Sequence, residues 1–487
     1  MSLKKLLSHA AIYGLSSILG RILNWLLTPL YINVYPPDEY GILSDLYGFT
    51  FYWAVILTFG QETSFFRFST DKTHYRIYYS SAFSHVLFFS FIFLVIFGLN
   101  YEFFAEWLGY KGRESLFLWL IGIIFFDAIA AMPLAKLRYE EKALQFAIIS
   151  LLNIAITIIL NLIFVLGMRL PIEAVFIANF IASFLRLGMS LHGNLPDFFI
   201  PREPYFKKMI TYGSFIMLAG LFSAINENIG RNLIIRLWED GKTWNGIPYS
   251  AKSLNGIYAA NYKFGMFIAL MTQAFRYAAD PIMLKTAEDK DSPTFYSRVF
   301  YFYTTANLFM FLVISIFIEE IAKFNLWGLA PFYLVHPDYW HGLVIVPHIL
   351  LANVMLGAFL NLSIWYKILK MTYVGLWITI IGTAITLIIN ILFIPTYGFV
   401  ASAYATLSCY TAMAIICYLW GQRHYPVPYP VISILTYLLI AIALIYLCSY
   451  FPENILSSLL KIAIAVLYGY GIKLHYDLKI KQLWLTH

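Results

Sequence analysis

Residues Ala155–Val165 read AITIILNLIFV, and residues Ala384–Ile394 read AITLIINILFI. Six of the eleven positions are identical and the rest are aliphatic exchanges. Each copy sits in an apolar run long enough to cross a bilayer, which takes about 20 residues. One membrane helix has thus been used twice. Working outward, IYGLSS around Tyr13 and Gly14 is weakly matched by TYGSFI around Tyr212 and Gly213, and Gly41, Tyr47 and Phe49 match Gly256, Tyr262 and Phe264. The offsets of 199, 215 and 229 residues grow along the chain, and the insertion WEDGKTWNGIPYSAKS (Trp238–Ser253) accounts for part of the growth. Matches this far apart and in the same order describe two six-helix lobes and not a solenoid. A lobe with an even number of spans starts and ends on one side, so the copies run parallel about an axis along the membrane normal.

Composition agrees. Of 487 residues, 61% are hydrophobic and 12% charged, with a mean hydropathy of +0.72. A soluble domain carries about a quarter charged residues. The expected fold class is an all-α polytopic membrane protein of about fourteen transmembrane helices, spanning from 9–33 to 455–474. Residues 1–194 form the N-terminal lobe and 195–425 the C-terminal lobe. Residues 426–487 add helices 13 and 14 and a tail. The net charge of +7 is scattered in short loops, which makes it a topology signal and argues against nucleic acid as a partner. Bases such as Lys72, Lys136, Lys290 and Lys481 fall on the side of the N-terminus, so both termini are expected to be cytoplasmic. The basic start is followed by an apolar run too long for a signal peptide and is expected to stay as the first helix. Cys409, Cys417 and Cys448 lie in apolar segments without metal or redox spacing and read as packing residues.

In GIYAANYKFGMF (Gly256–Phe267) a lysine, Lys263, stands in mid-span, whereas the echo GILSDLYGFTF (Gly41–Phe51) carries Gly48 at that position. At ~1.5 Å per residue, Lys263 lies about 14 Å and Arg21 about 18–20 Å into their spans. Such charges cost roughly 2.5–3.5 kcal/mol on insertion scales and usually face a polar interior. Two deep cations, one per lobe, suit an anionic substrate such as a phosphate. Gly48 would then leave room for bulk. The candidate substrate-binding residues are Arg21, Lys263 and Arg231 with the neighbouring asparagines Asn24 and Asn261. Asp45, Asp127 and Glu227 are the candidate ion-coupling acids. Plainer readings stand beside these: Glu227 and Arg231 pair at i,i+4, Asp127 pairs with a nearby base such as Lys136, and Asp45 is interfacial. There is no HExxH, GxSxG or GxxxxGK[ST], no metal set and no implied cofactor, so an enzyme is not expected.

The stretch HAAIYGLSSILGRILNWLLTPLYINVYPPDEYGILSDLY, followed by FGQETSFFRF, resembles the start of polysaccharide-export proteins, the Wzx-type flippases of the multidrug/oligosaccharidyl-lipid/polysaccharide exporter superfamily. The resemblance rests on Ser16, Ser17, Gly20 and Arg21, on Pro37, Tyr40 and Gly41, and on Glu62, Phe65, Phe66, Arg67 and Phe68. It implies alternating access of two lobes and movement of an undecaprenyl-pyrophosphate-linked oligosaccharide from the cytoplasmic to the periplasmic leaflet of a bacterial inner membrane. The destination would be a cell-surface polysaccharide such as the O-antigen of lipopolysaccharide. It also implies cationic residues lining a central cavity, a role open here to Arg21, Arg231 and Lys263, and proton or sodium coupling. The implied partners are the lipid-linked oligosaccharide, membrane lipids, and the polymerase and ligase machinery. The second helix carries Asp45 and no deep base, a departure from the arginine-rich lipid II flippases that favours another oligosaccharide. Two other readings compete: a cation-coupled multidrug extruder, which calls for level carboxylates, and a membrane glycosyltransferase or polymerase, which calls for a reactive outer loop.

Overall fold

The computed structural model describes residues 3–70, 73–289, 291–325 and 332–480. Lys72, Lys290 and Lys481 of the charge pattern lie outside them. The chain forms two compact units, Met1–Ile235 and Arg236–His487. The first holds α1 (Leu3–Val34), α2 (Pro37–Thr58), α3 (Gln61–Phe68), α4 (Tyr75–Leu99), α5 (Tyr101–Trp107), α6 (Glu114–Tyr139), α7 (Ala143–Asn161), α8 (Glu173–Leu191) and nearly all of α9 (Tyr205–Leu237). The second holds α10 (Ala251–Tyr262), α11 (Met266–Lys285), α12 (Ser292–Ile316), α13 (Ile318–Ala322), α14 (Val346–Leu362), α15 (Ile364–Ile368), α16 (Tyr373–Tyr397), α17 (Phe399–His424), α18 (Val431–Cys448) and α19 (Ile455–His475). Compactness thus divides the chain after Ile235, whereas the sequence repeat divides it after residue 194.

Helices dominate because a backbone in hydrocarbon must satisfy its polar groups within its own segment. Among the described residues, 12 helical stretches are long and apolar enough to cross a membrane. The other two of the fourteen expected spans are α1 and the pair α10–α11. These are the two that carry the deep cations Arg21 and Lys263.

The repeat holds at the level of single hydrogen bonds. In α7, Thr157 Oγ1 donates to Asn153 O and Asn161 Nδ2 donates to Thr157 O. In α16, the matching Thr386 donates to Gly382 O and Asn390 Nδ2 to Thr386 O. The outward oxygen of each asparagine accepts a hydroxyl: Tyr31 Oη on Asn161 at 2.9 Å, Ser402 Oγ on Asn390 at 2.6 Å. A buried amide left unpaired is costly, so each copy keeps its own hydroxyl donor.

The second expected span is broken. Pro37 and the acids Asp38 and Glu39 suit the first turn of α2, but Phe59 (φ 50) and Gly60 (φ 65) are both left-handed and end it. A side chain is strained at that φ, and a Cβ on Gly60 would also lie 2.7 Å from Gly213 O of α9. After the break, α3 displays the QETSFFRF residues. Glu62 pairs with Arg138 at 2.5 Å. Phe65, fully buried, meets the rings of Tyr79 and Tyr139, and the Arg67 guanidinium lies 4.2 Å over Tyr212. These residues weld α3 to α4, α6 and α9.

Asp127 on α6 pairs with Arg186 on α8 at 3.3 Å, so its partner is not the nearby Lys136. Lys136 lies over the Tyr79 ring instead. Asp127→Asn and Arg186→Gln should each lower the thermal midpoint in detergent, and the double variant should lose less than the sum. The expected coupling is about 1 kcal/mol; strictly additive losses would remove the pair from the account. At the start of α6, Arg113 bridges Glu39 and Glu173, the latter at 3.2 Å, and its bond to Glu39 holds the guanidinium above its usual range. Tyr35 Oη donates to Leu170 O beside this bridge.

In the second unit, the insertion Trp238–Ser253 folds as a hairpin of β1 (Thr243–Trp244) and β2 (Ile247–Pro248). Its turn is Asn245–Gly246, both at positive φ, the pair that a two-residue turn favours. Lys461, within α19, is nine-tenths covered and pairs with Glu320 at 2.7 Å, while Lys323 pairs with Glu453. The last two helices are thereby tied by charge to the segment after α12.

Candidate functional site

In the first unit the polar centre is Asp45. It is fully buried within the protein. Tyr110 Oη donates to its Oδ2 at 2.6 Å, and Asn232 Nδ2 donates to its Oδ1 at 2.6 Å and to its backbone carbonyl at 3.0 Å. Tyr52 Oη, two turns further along α2, donates to Asn232 Oδ1 at 2.9 Å. In the three bonds that reach Asp45 it is the acceptor. Gly48 does not leave open space: a Cβ there would meet the Asn232 amide at 3.1–3.2 Å. The glycine is filled by the asparagine side chain.

Arg231, next to Asn232, is half-buried and donates Nη1 to Asn228 Oδ1 at 3.1 Å. Asn228 in turn donates to Ala224 O. Glu227 is exposed. Arg21 and Asn24 sit about one turn apart on α1, both exposed, while neighbouring Gly20 packs against Ile154 of α7. Asp127 is committed to Arg186, as above.

In the second unit, Lys263 opens a 3₁₀ turn, Lys263–Gly265, that interrupts α10 and α11. Mid-helix 3₁₀ geometry often marks a hinge or a functional site. A Cβ at Gly265 would lie 2.6 Å from Asn353 Nδ2 of α14, and Gly342 is pressed against the Asn261 amide. Lys263 is half-buried. Asn261, expected on sequence to bind substrate, is fully buried and gives its amide to Ile257 O and Tyr339 O, both at 2.9 Å. These two bonds tie α10 to the segment that carries Tyr339. Among the described residues no group of His, Cys, Asp and Glu is placed to hold a metal.

Sequence reasoning missed Asn232, Tyr52, Tyr110, Arg186 and the Lys461–Glu320 pair. Asn228 and Asn232, four apart in an apolar helix, were a readable polar stripe. The partners of Arg186 and Lys461 lie 59 and 141 residues away, with no local signal.

The family model described as "Polysaccharide biosynthesis protein" matches residues 6–286. The chain belongs to this family. No curated protein matches the sequence. Among solved structures, the lipid II flippase MurJ in an inward closed conformation aligns with a TM-score of 0.72 at 17% identity, covering 95% of this chain and 98% of MurJ. An inward-facing multidrug resistance MATE family transporter of the MOP superfamily aligns at 0.66 and 13% identity, covering 83% and 94%. An outward-facing MATE family structure aligns at 0.56 and 14%, covering 85% and 94%. The fold of this family member is therefore the polytopic fold shared by MurJ and the MATE transporters.

Proposed function

We propose that the protein is a flippase that moves an undecaprenyl-pyrophosphate-linked oligosaccharide from the cytoplasmic to the periplasmic leaflet, for assembly of a surface polysaccharide. The observation that carries the reading is a cation, Lys263, held half-buried at the 3₁₀ interruption of a membrane helix in a chain of a polysaccharide biosynthesis family. A lysine in a low-dielectric site stabilises a phosphate strongly. Arg231 and, on α1, Arg21 and Asn24 are the proposed companions. No covalent step is needed, since the lipid carries its own glycan and only its head group changes side. The two repeat copies, 1–194 and 195–425, would alternate access, with both termini cytoplasmic in a bacterial inner membrane and polymerase and ligase machinery receiving the product. Asp45, Asp127 and Glu227 remain the proposed coupling acids for protons or sodium; of these, Asp45 is the buried one.

The likeness to MATE folds favours a second reading, extrusion of organic cations coupled to a cation gradient. Purified protein in vesicles separates the two. The flippase reading expects a fluorescent undecaprenyl-pyrophosphate oligosaccharide to change leaflet at least about tenfold faster than in empty vesicles, without efflux of an organic cation. Cation efflux without lipid movement would replace it with the extruder.

A further inference from the structure

Where α19 begins, the second unit holds a cavity of about 420 Å³, within the roughly 300–1,000 Å³ of ligand sites. Glu320, Lys323 and Glu453 supply its charged lining, and Asn454, Ile455, Ser458 and Leu459 the rest. Charge around it does not balance. Three carboxylates, Glu319, Glu320 and Glu453, meet two ammonium groups. Lys461 pairs with Glu320 at 2.7 Å, and Lys323 pairs with Glu453 and, at 3.9 Å, with Glu319. With all five ionised, one negative charge is left over. Burial holds the Glu319 carboxyl above its usual range, and so, next, does its hydrogen bond to Glu453, a contact between two acids. Glu320 lacks a donor. Its Oε1 accepts from Lys461, while Oε2 is covered by protein and has no hydrogen-bond partner among the described residues. A covered carboxylate oxygen left without a donor is costly.

The rest of the lining suits an anion. Ser457 N donates to Asn454 Oδ1 at 2.8 Å and Ser458 N to Asn454 O at 3.1 Å. The N–H groups of Ile455 and Leu456 are left without an acceptor among the described residues. Free N–H groups at the positive end of a helix favour phosphate. Ile455 and Leu459 are 81% and 58% exposed, yet they belong to a stretch long and apolar enough to cross a membrane, so the cavity opens toward lipid. We propose that it takes the aminoethyl phosphate head group of a membrane phospholipid, with the ammonium on Glu320 and Glu453 and the phosphate at the start of α19 beside Lys323. The acyl chains would run along Ile455 and Leu459. A choline head group carries the same charge but has no N–H to give Glu320. A glycerol head group brings no cation and would add to the excess negative charge. A divalent metal fits poorly, since lysines stand among the carboxylates and no acid group is placed to hold one among the described residues. The lipid would complete the junction that ties α19 to the segment after α12.

The test needs no transport, so it stands apart from the flippase reading. Delipidated protein in detergent is given phosphatidylethanolamine, phosphatidylcholine or phosphatidylglycerol, with bound lipid counted by native mass spectrometry and the unfolding midpoint recorded. The expected result is one phosphatidylethanolamine held at least about tenfold more tightly than either of the others, with a raised midpoint. Ser458→Phe fills the cavity and leaves every ion pair named above in place, and it should abolish the preference. Glu453→Gln removes a carboxylate without touching the Lys461–Glu320 pair, and it should weaken the preference severalfold. Free phosphoethanolamine, which lacks the chains, should bind at least about tenfold more weakly than the lipid; binding as tight as the lipid's would overturn the lipid assignment. Equal binding of phosphatidylethanolamine and phosphatidylcholine would overturn the proposal, as would a full preference surviving in Ser458→Phe.

Discussion

Asp45→Ala should destabilise the first unit by about 2–5 kcal/mol, because it removes two buried hydrogen bonds to the carboxylate at about 1–3 kcal/mol each. Tyr110 Oη and Asn232 Nδ2 both end on this carboxylate at 2.6 Å. Asn232 would keep Tyr52 on its oxygen and lose its strongest acceptor. Asp45→Asn preserves the shape and one acceptor oxygen, so its loss should be smaller, about 1–2 kcal/mol. Fluorescence-monitored unfolding in detergent reads the order wild type, Asp45→Asn, Asp45→Ala. An alanine variant unfolding at the wild-type midpoint would show that the network holds nothing together.

In the second unit the largest effect is expected from Gly357→Ala on α14. The added methyl would land on the Tyr303 hydroxyl, 2.7 Å from its Cζ and 3.0 Å from Thr272 Oγ1. Tyr303 is 1% exposed, bonds Thr272 at 2.6 Å and packs against Phe275 at 4.8 Å, so it has nowhere to swing. Overpacking of about 1–3 kcal/mol plus a lost hydrogen bond of about 1 kcal/mol gives roughly 3 kcal/mol. Tyr303→Phe removes the nearest obstructing atom. The double variant should therefore be more stable than Gly357→Ala alone, a rescue that a general helix-propensity effect of the alanine would not produce. Equal stability of the two would contradict the steric account.

The sequence was most readable where the physics is local or repeated. Thr157 and Asn161 and their copies Thr386 and Asn390 stood out as polar residues in matched apolar runs, and they keep the same intrahelical bonds in both units. Twelve of the fourteen expected spans coincide with helical stretches that are long and apolar enough to cross a membrane among the described residues. What stayed hidden was decided by neighbours far along the chain. Lys263 was visible as a deep charge, but the 3₁₀ interruption it opens and the close approach of Gly265 to Asn353 of α14 were not. Asn261 lies two residues from that lysine, and proximity alone suggested a shared role; its amide is spent on Tyr339 O. Gly48 was read as open room because its partner, Asn232, lies on another helix. Asp127 was matched to the nearest base along the chain, whereas Arg186 on α8 was nearer in space. The expected boundary after residue 194 follows the sequence repeat, whereas contacts such as Asp45–Asn232 follow how the chain packs.

The measurement that most directly tests the account is lipid translocation by Lys263→Ala and Lys263→Arg in reconstituted vesicles, beside wild type and with unfolding midpoints recorded for each. Loss of at least about tenfold in the alanine variant corresponds to about 1.4 kcal/mol or more at the rate-limiting step. The account predicts that loss with an unchanged midpoint and partial recovery in the arginine variant, since charge is retained while geometry differs. Alanine and wild type moving the lipid equally fast would contradict the central claim that Lys263 holds the phosphate.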